Sequence, residues 1–279
     1  MKLAITGASG FVGRRLSEVA QARGHQVIAL KRPAWDLAGA DAVIHLAGEP
    51  VAEGRWTRAK MARIRDSRVC GTRAIVAAIA KAAPRVLVSA SAVGFYGDRG
   101  DEELTEDSPP GDDFLADVCK EWEAEALKSP IRTVLIRTGV VLGPGGGALA
   151  RMITPFKLGL GGRLGSGRQW MSWIHRDDLV DLFLHAVERE SLAGPLLGTA
   201  PRPVTNSDFT NALGRALGRW TILPMARWQM GLIFGKVAEV LCGSQKCRPR
   251  RTLASGFAFR HPEIDPALRQ ILPGKKKMN

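Results

Sequence analysis

A short apolar run, a glycine turn and a helix follow one another at the head of this chain, and that order constrains the fold more than any other feature. Residues 1–6, MKLAIT, read as a short buried strand. Gly7-Ala8-Ser9-Gly10-Phe11-Val12-Gly13 comes next, and a helical pattern then runs through Leu16, Val19 and Ala20 to Gly24. Strand, glycine turn and helix in this order predict a dinucleotide-binding unit. Gly7 permits the tight turn, Gly10 lets the backbone approach a pyrophosphate, and Gly13 lets the helix pack closely on the strand. The free N–H groups of the helix N-terminus then face the anion. The spacing is G-x-x-G-x-x-G, one residue longer between the first two glycines than G-x-G-x-x-G.

The second strand bears on which dinucleotide it is. Residues 26–30, QVIAL, end at Lys31-Arg32-Pro33, where an NAD-binding chain usually places an acid for the ribose hydroxyls. Two cations suit a 2′-phosphate, since guanidinium holds it through paired charge-assisted hydrogen bonds. NADP(H) is therefore expected over NAD(H). A solvated basic strand end is the alternative in a chain of formal charge +13.

With 279 residues, 45% of them hydrophobic, the chain can bury the core of one large domain or one and a half. The first strand begins at residue 2 with no signal pattern before it. The longest apolar stretch, residues 228–241, is too short to span a bilayer and contains Lys236 and Glu239. Cys70, Cys119, Cys242 and Cys247 lack metal-ligand spacing, so no metal site is expected and a reduced, cytoplasmic protein is. Charge is uneven: residues 98–125 carry 12 acids against Arg99 and Lys120, and residues 220–279 carry 11 Lys/Arg against three acids. The Lys275-Lys276-Lys277 run is terminal and no aromatic-basic RNA motif accompanies it, so a solvated tail is expected rather than a nucleic-acid or membrane site. The expected partner is a small-molecule substrate, and the expected state a monomer or homodimer.

Further along, residues 42–48 read as another buried strand ending in a small-residue turn. Residues 33–41 are too few for a helix and a strand, so the third strand of the sheet is abbreviated or lost. Residues 57–82 have helical period with Gly71 as the weak point, strands recur at 85–90 and 132–138, and a helix separates them at 114–128. Alternating strands and helices imply right-handed crossovers: an α/β, Rossmann-type doubly wound parallel sheet. After the glycine-rich residues 159–167 come a short strand at 169–174, a helix at 177–190, and a capped helix starting at Thr205-Asn206-Ser207-Asp208 and ending near Gly218. Residues 220–279 read as mostly helical, broken by Pro224, Pro249, Pro262 and Pro266. The expected division is a dinucleotide-binding domain over 1–168 and a smaller lobe over 169–279, partly woven into the first, with a ligand cleft between them.

Several segments together resemble the extended short-chain dehydrogenase/reductase superfamily. Thr6-Gly7-Ala8-Ser9-Gly10-Phe11-Val12-Gly13 is similar to its T-G-x-x-G-x-[IV]-G fingerprint, and His45-Leu46-Ala47-Gly48 to its H-x-A-[AG] turn. Ser89-Ala90-Ser91 with Phe95-Tyr96-Gly97 resembles its S-S-x-x-x-Y-G strand end, with one residue extra. Arg137-Thr138-Gly139-Val140-Val141-Leu142-Gly143-Pro144 resembles its segment by the nicotinamide, and Trp173-Ile174-His175-Arg176-Asp177-Asp178 its helix start. An epimerase-like subgroup labelled YfcH-like is a closer match, through Ala47-Gly48-Glu49-Pro50, Arg55-Trp56, Arg65-Asp66-Ser67-Arg68, Trp122-Glu123 and Gly165-Ser166-Gly167-Arg168-Gln169. The resemblance implies cofactor contacts at Gly7, Ser9, Gly10, Phe11, Val12, Gly13, Lys31, Arg32, Leu46, Ala47, Gly48, Glu49, Ser89, Lys120, Arg137, Gly139 and Val140.

The superfamily's Y-x-x-x-K pair needs one helical turn of spacing so that both side chains reach the nicotinamide. The single tyrosine, Tyr96, is followed four positions on by Gly100, so the pair is absent. Aligned on Ser91, Lys120 falls at the lysine and Ala116 at the tyrosine. Ser91, Lys120 and Tyr96 are thus the catalytic candidates, with Cys119 and Glu49 as further groups to consider. Arg55, Trp56, Arg168 and His175 are candidates for gripping a substrate. The reading is an NADP(H)-dependent oxidoreductase or epimerase-like enzyme without the standard acid/base; a non-catalytic NADP(H)-binding sensor or regulator, for example of cell division, is the alternative.

Overall fold

The computed structural model describes residues 1–31, 35–51, 53–221 and 243–272. Apolar runs with no polar alternation build its central sheet: β1 (Lys2–Thr6), β2 (Gln26–Leu30), β3 (Ala42–His45), β4 (Val86–Ala92), β6 (Arg132–Thr138) and β10 (Gly194–Gly198). All six are parallel, in the order β2-β1-β3-β4-β6-β10. Strands buried on both faces need helices on both, which explains why Leu3, Ala4 and Ile5 are all fully buried. On one face α1 (Phe11–Ala22) and α5 (Arg176–Glu188) set Leu16, Ala20, Leu182 and Phe183 against Leu3, Ile5, Ile44 and Val88. On the other, α2 (Arg58–Ala82) and α3 (Phe114–Leu127) set Ile75, Ile79 and Ala126 against Ala4, Val43 and Leu87.

After β2 the chain passes to the other side of β1, where β3 pairs. Among the described residues no strand lies outside β2. Trp35, Leu37 and Ala40 pack against this face where a crossover helix would otherwise sit, and the Asp41 carboxylate accepts the Lys2 N–H at 2.7 Å. The reversal of strand order therefore falls between β1 and β3, the place where open α/β sheets bind ligands.

A second core joins β7 (Val140–Leu142), α4 (Gly147–Lys157), β9 (Trp173–His175), α6 (Asn206–Leu217) and α8 (Ile264–Ile271) through Leu142, Leu149, Trp173, Phe209, Leu213 and Leu268. Thr205 and Asp208 cap α6 reciprocally. The two cores interleave along the chain: α5 and β10 serve the main sheet, whereas β7 and α4 serve the second core. Short pairs, β5 (Glu103–Leu104) with β12 (Lys246–Cys247) and β8 (Trp170–Met171) with β11 (Val204–Thr205), join these layers, and α7 (Arg250–Ala254) packs by β10. Of the region expected to be mostly helical and broken by prolines, the described residues 243–272 hold one short strand and two short helices. The apolar stretch 228–241, Cys242 and the terminal lysines lie outside the described residues, as does Arg32. No helix among the described residues is long and apolar enough to cross a membrane.

Candidate functional site

The turn between β1 and α1 is shaped by its glycines. Gly7 has φ +69°, and a Cβ on it would stand 3.0 Å from the Ala47 nitrogen and the Leu46 carbonyl carbon. Gly7 thus allows both the turn and its close approach to the loop after β3. A Cβ on Gly13 would overlap the Gly7 carbonyl oxygen and stand 2.8 Å from the Ala8 Cα, so this glycine seats α1 on its own strand. A Cβ on Gly10 meets only the Gly7 oxygen, at 3.2 Å; the rest of its surroundings is open. Gly10 is also the N-cap of α1, with no side chain capping and no acid in the first turn. The helix N-terminus is therefore presented to an anion.

Thr6 joins this turn to the next strand. Its Oγ1 lies 2.7 Å from His45 Nδ1 and accepts from the Leu46 and Ala47 N–H groups at 3.1 and 3.2 Å. A cleft of about 410 Å³ opens on the opposite side of the turn. Ser9, Arg14, Ser17, Lys31 and the end of β2 line it. Arg14 was not legible from the motif, yet it faces the same cleft as Lys31. Arg15 is engaged elsewhere, with Asp177 at 2.8 Å and Glu18 at 3.3 Å.

Helix α2 holds the turn after β3. Ser67 Oγ accepts the Glu49 N–H at 3.0 Å, and Arg68 Nη1 donates to the Glu49 carbonyl at 3.0 Å. The Glu49 side chain is taken by Lys60 at 2.8 Å and Arg63 at 3.5 Å, and the Lys60 hydrogen bond holds its carboxyl below the ordinary range. Glu49 is consequently an anchor of the turn rather than a base.

Of the catalytic candidates, Ser91 and Tyr96 meet in one buried network and Lys120 lies apart from it. Ser91 is buried, and its hydroxyl donates to Glu123 Oε1 at 2.6 Å. Glu123 also takes Arg137 Nε and Nη2 at 2.9 and 2.8 Å. Arg137 in turn donates to Tyr96 Oη at 2.9 Å and stacks 3.5 Å from the Phe95 ring centre. Burial opposes the charge of Arg137, but Glu123 outweighs it and raises its pKa. Tyr96 is 0% exposed, donates its hydroxyl to the Thr105 carbonyl at 2.8 Å, and has its pKa raised by burial. The candidate Tyr96 is thus a buried, engaged hydroxyl, and the side chain of Arg137 is in a core ion pair.

Lys120 points elsewhere too. Its ammonium pairs with Asp117 at 2.7 Å, and its side chain is 41% exposed. The α3 positions that face the end of β4 are Leu115, Cys119 and Glu123, four residues apart on one helix face. Cys119 Sγ lies 3.9 Å from the Ala92 carbonyl, which sets Lys120 about 100° round the helix. Burial pushes the Cys119 thiol up to about 12, so no thiolate forms there.

The remaining candidates divide between surface and scaffold. Trp56 donates to the Val51 carbonyl at 2.9 Å and packs edge-on against Phe114, ring centres 5.4 Å apart. Arg55 and Arg168 are exposed. His175 is buried, caps α5 by accepting the Asp177 N–H at 3.1 Å, and stacks on His261 at 3.9 Å between ring centres. Burial, reinforced by His261, lowers its pKa to about 4, so a substrate-gripping role for it is replaced by a neutral helix cap. Ser89 is fully buried in β4. Gly139 and Val140 carry the chain from β6 to β7, the Val140 N–H donating to the Ser172 carbonyl at 2.8 Å. The Phe11 ring turns away from the open side of the turn, towards Gly143, Gly146 and Gly147, where added Cβ atoms would stand 2.8–3.1 Å from it.

Residues 3–195 match the family model described as NAD dependent epimerase/dehydratase family, and residues 225–271 match a domain of unknown function, DUF1731. The chain belongs to the NAD dependent epimerase/dehydratase family. Among similar members, an Arabidopsis thaliana protein named epimerase family protein SDR39U1 homolog, chloroplastic, is 41% identical, over 98% of this chain and 87% of its own. Epimerase family protein SDR39U1 of Bos taurus is 39% identical, over 98% of this chain and 100% of its own. The human SDR39U1 crystal structure, solved with NADPH, superposes with a TM-score of 0.93 at 38% identity, covering 98% of this chain and 99% of that one. A nucleoside-diphosphate sugar epimerase of Corynebacterium glutamicum gives a TM-score of 0.80 at 37% identity, over 98% of this chain and 58% of its own. In this family member, then, the Rossmann-type scaffold is intact while Ser91, Tyr96 and Lys120 are committed to other partners.

Proposed function

We propose that this chain binds NADP(H) along the carboxyl ends of β2, β1, β3 and β4, and serves as an oxidoreductase or epimerase-like protein that lacks the Ser-Tyr-Lys relay. The carrying observation is the cradle itself: an open Gly10 at an uncapped helix N-terminus, beside a cleft that Arg14 and Lys31 share. These residues fit a pyrophosphate and a 2′-phosphate. The human relative crystallised with NADPH supports the same cofactor. When bound, NADPH supplies a hydride. Ser9 and the N–H groups after Gly10 hold the phosphates, the Leu46–Glu49 turn closes the β3 side, and Arg14 with Lys31 distinguishes NADPH from NADH. The site residues offer no acid in the tyrosine position, so a small-molecule carbonyl substrate draws its proton from solvent and turns over slowly.

A specific observation favours a second reading, a non-catalytic NADP(H)-responsive regulator. The Ser91 hydroxyl is consumed by Glu123, and both are buried. Calorimetric titration with NADPH and NADH tests the cofactor assignment, and equal affinities overturn it. Single-turnover oxidation of bound NADPH by a panel of aldehydes and ketones then separates the readings: measurable oxidation supports the enzyme, and none across the panel supports the regulator.

A further inference from the structure

Lys120 leaves the nicotinamide side of the site without its expected cation, yet a different cation lies beside that position. Arg68 projects from α2 beneath the turn after β3. Its guanidinium carbon would stand 3.3 Å from a Cβ on Gly48, a close approach that the glycine eases. Nη1 donates to the Glu49 and Ile64 carbonyls at 3.0 and 3.1 Å. That uses two of the five N–H donors of a guanidinium, and those on Nη2 and Nε have no acceptor among the described residues. No carboxylate pairs with Arg68 among the described residues, because Glu49 is held by Lys60 and Arg63. The other side of the guanidinium faces the Trp122 ring, 5.2 Å to its centre. Arg68 is half-buried, and burial lowers its pKa against the weaker opposing charges of Cys119 and Glu49. No Arg68 nitrogen is both fully buried and unpaired, so the donors on Nη2 and Nε remain open to a ligand.

Its place along the sheet edge indicates the ligand. The Arg14–Lys31 cleft lies at β2 and β1, and the phosphate-binding turn at β1. The next positions in strand order are the turn after β3 and the end of β4, which Arg68 and Cys119 flank. An extended dinucleotide with its 2′-phosphate by Lys31 brings its second ribose there. We propose that Arg68 holds the nicotinamide-side ribose of NADP(H), its Nη2 and Nε donating to the ribose hydroxyls in the role that Lys120 does not fill. This rests on the NADP(H) reading above.

The test compares NADPH with adenosine 2′,5′-bisphosphate, which carries the 2′-phosphate and the first ribose but no nicotinamide ribose, on the full chain by calorimetry. Arg68→Met is expected to raise the Kd for NADPH about tenfold or more while changing that for the bisphosphate less than about twofold. Arg68→Lys keeps the charge and loses the fork, and serves if Arg68→Met does not fold; its loss is expected for NADPH alone. Equal losses for both ligands would mean that Arg68 only props the turn and would overturn the proposal, as would unchanged NADPH affinity. A wild-type protein that binds neither ligand would instead overturn the cofactor assignment.

Discussion

The Ser91 hydroxyl donates to the Glu123 carboxylate across 2.6 Å, and the same carboxylate receives a two-pronged Arg137. This joins β4, α3 and β6 in one buried polar knot, which Tyr96 completes from the following turn. Its members are therefore expected to report on stability first. Glu123→Ala strands the Arg137 charge and should cost about 3–5 kcal/mol, whereas Ser91→Ala should cost about 1–2 kcal/mol. Urea unfolding of both variants checks this order, and an Ser91→Ala protein of unchanged stability would contradict it.

Lys120→Ala breaks only a half-exposed ion pair one helical turn long. The expected change is below about 0.5 kcal/mol in stability, with NADPH affinity unaltered. A marked affinity loss in a calorimetric titration would return Lys120 to the site.

Two glycines of the turn should separate folding from binding. Gly13→Ala forces a methyl into the Gly7 carbonyl and is expected to cost about 1–3 kcal/mol. Gly10→Val meets only the Gly7 oxygen, at 3.2 Å, with an ordinary φ of −74°, so the protein should lose less stability than Gly13→Ala while losing NADPH affinity. Paired melting curves and titrations of the two variants give the readout.

Arg14→Ala is expected to raise the Kd for NADPH about tenfold and to leave NADH binding unchanged, since the proposed role of this cleft-lining guanidinium is to hold the 2′-phosphate. A parallel loss for both nucleotides would place Arg14 on the pyrophosphate instead.

His175 is neutral in the fold, its pKa lowered by burial and by His261 to about 4 from an ordinary 6.5. The unfolded chain takes up the proton first on acidification. Stability from this residue is therefore complete above about pH 6.5 and is lost as pH falls towards 4, by about 2–3 kcal/mol. His175→Asn preserves an N-cap acceptor without the titration. Denaturant unfolding at pH 7 and pH 4.5 should show a smaller drop for the variant than for wild type.

The elements read well from sequence where an apolar run or a cap defines them locally. The β1 and β6 strands and the Thr205–Asp208 box are of this kind. Residues 33–41 were legible by arithmetic alone, since a crossover helix does not fit there. The packing of the catalytic candidates was harder to read, because counting from Ser91 carries no information about helix phase, and a count one residue different rotates the answer by about 100°. A usable signal was present: Glu123 beside the apolar Trp122 and Ala126 marks the inward face of α3. Arg14 and Arg68 were hidden differently, as each acts on a loop that only the tertiary fold brings near.

The Phe11 ring occupies space that a Cβ on Gly143, Gly146 or Gly147 would need, although more than 130 residues of chain lie between them. A methyl gained at any of the three glycines requires the ring to shrink or shift, and the ring is the first residue of α1. The coupling is most direct at Gly146, whose added Cβ would meet Phe11 alone, at 2.8 Å. Sequence drift in the loop leading into α4 is policed by the phosphate-binding turn, and a directed-evolution library that randomises one stretch must randomise the other.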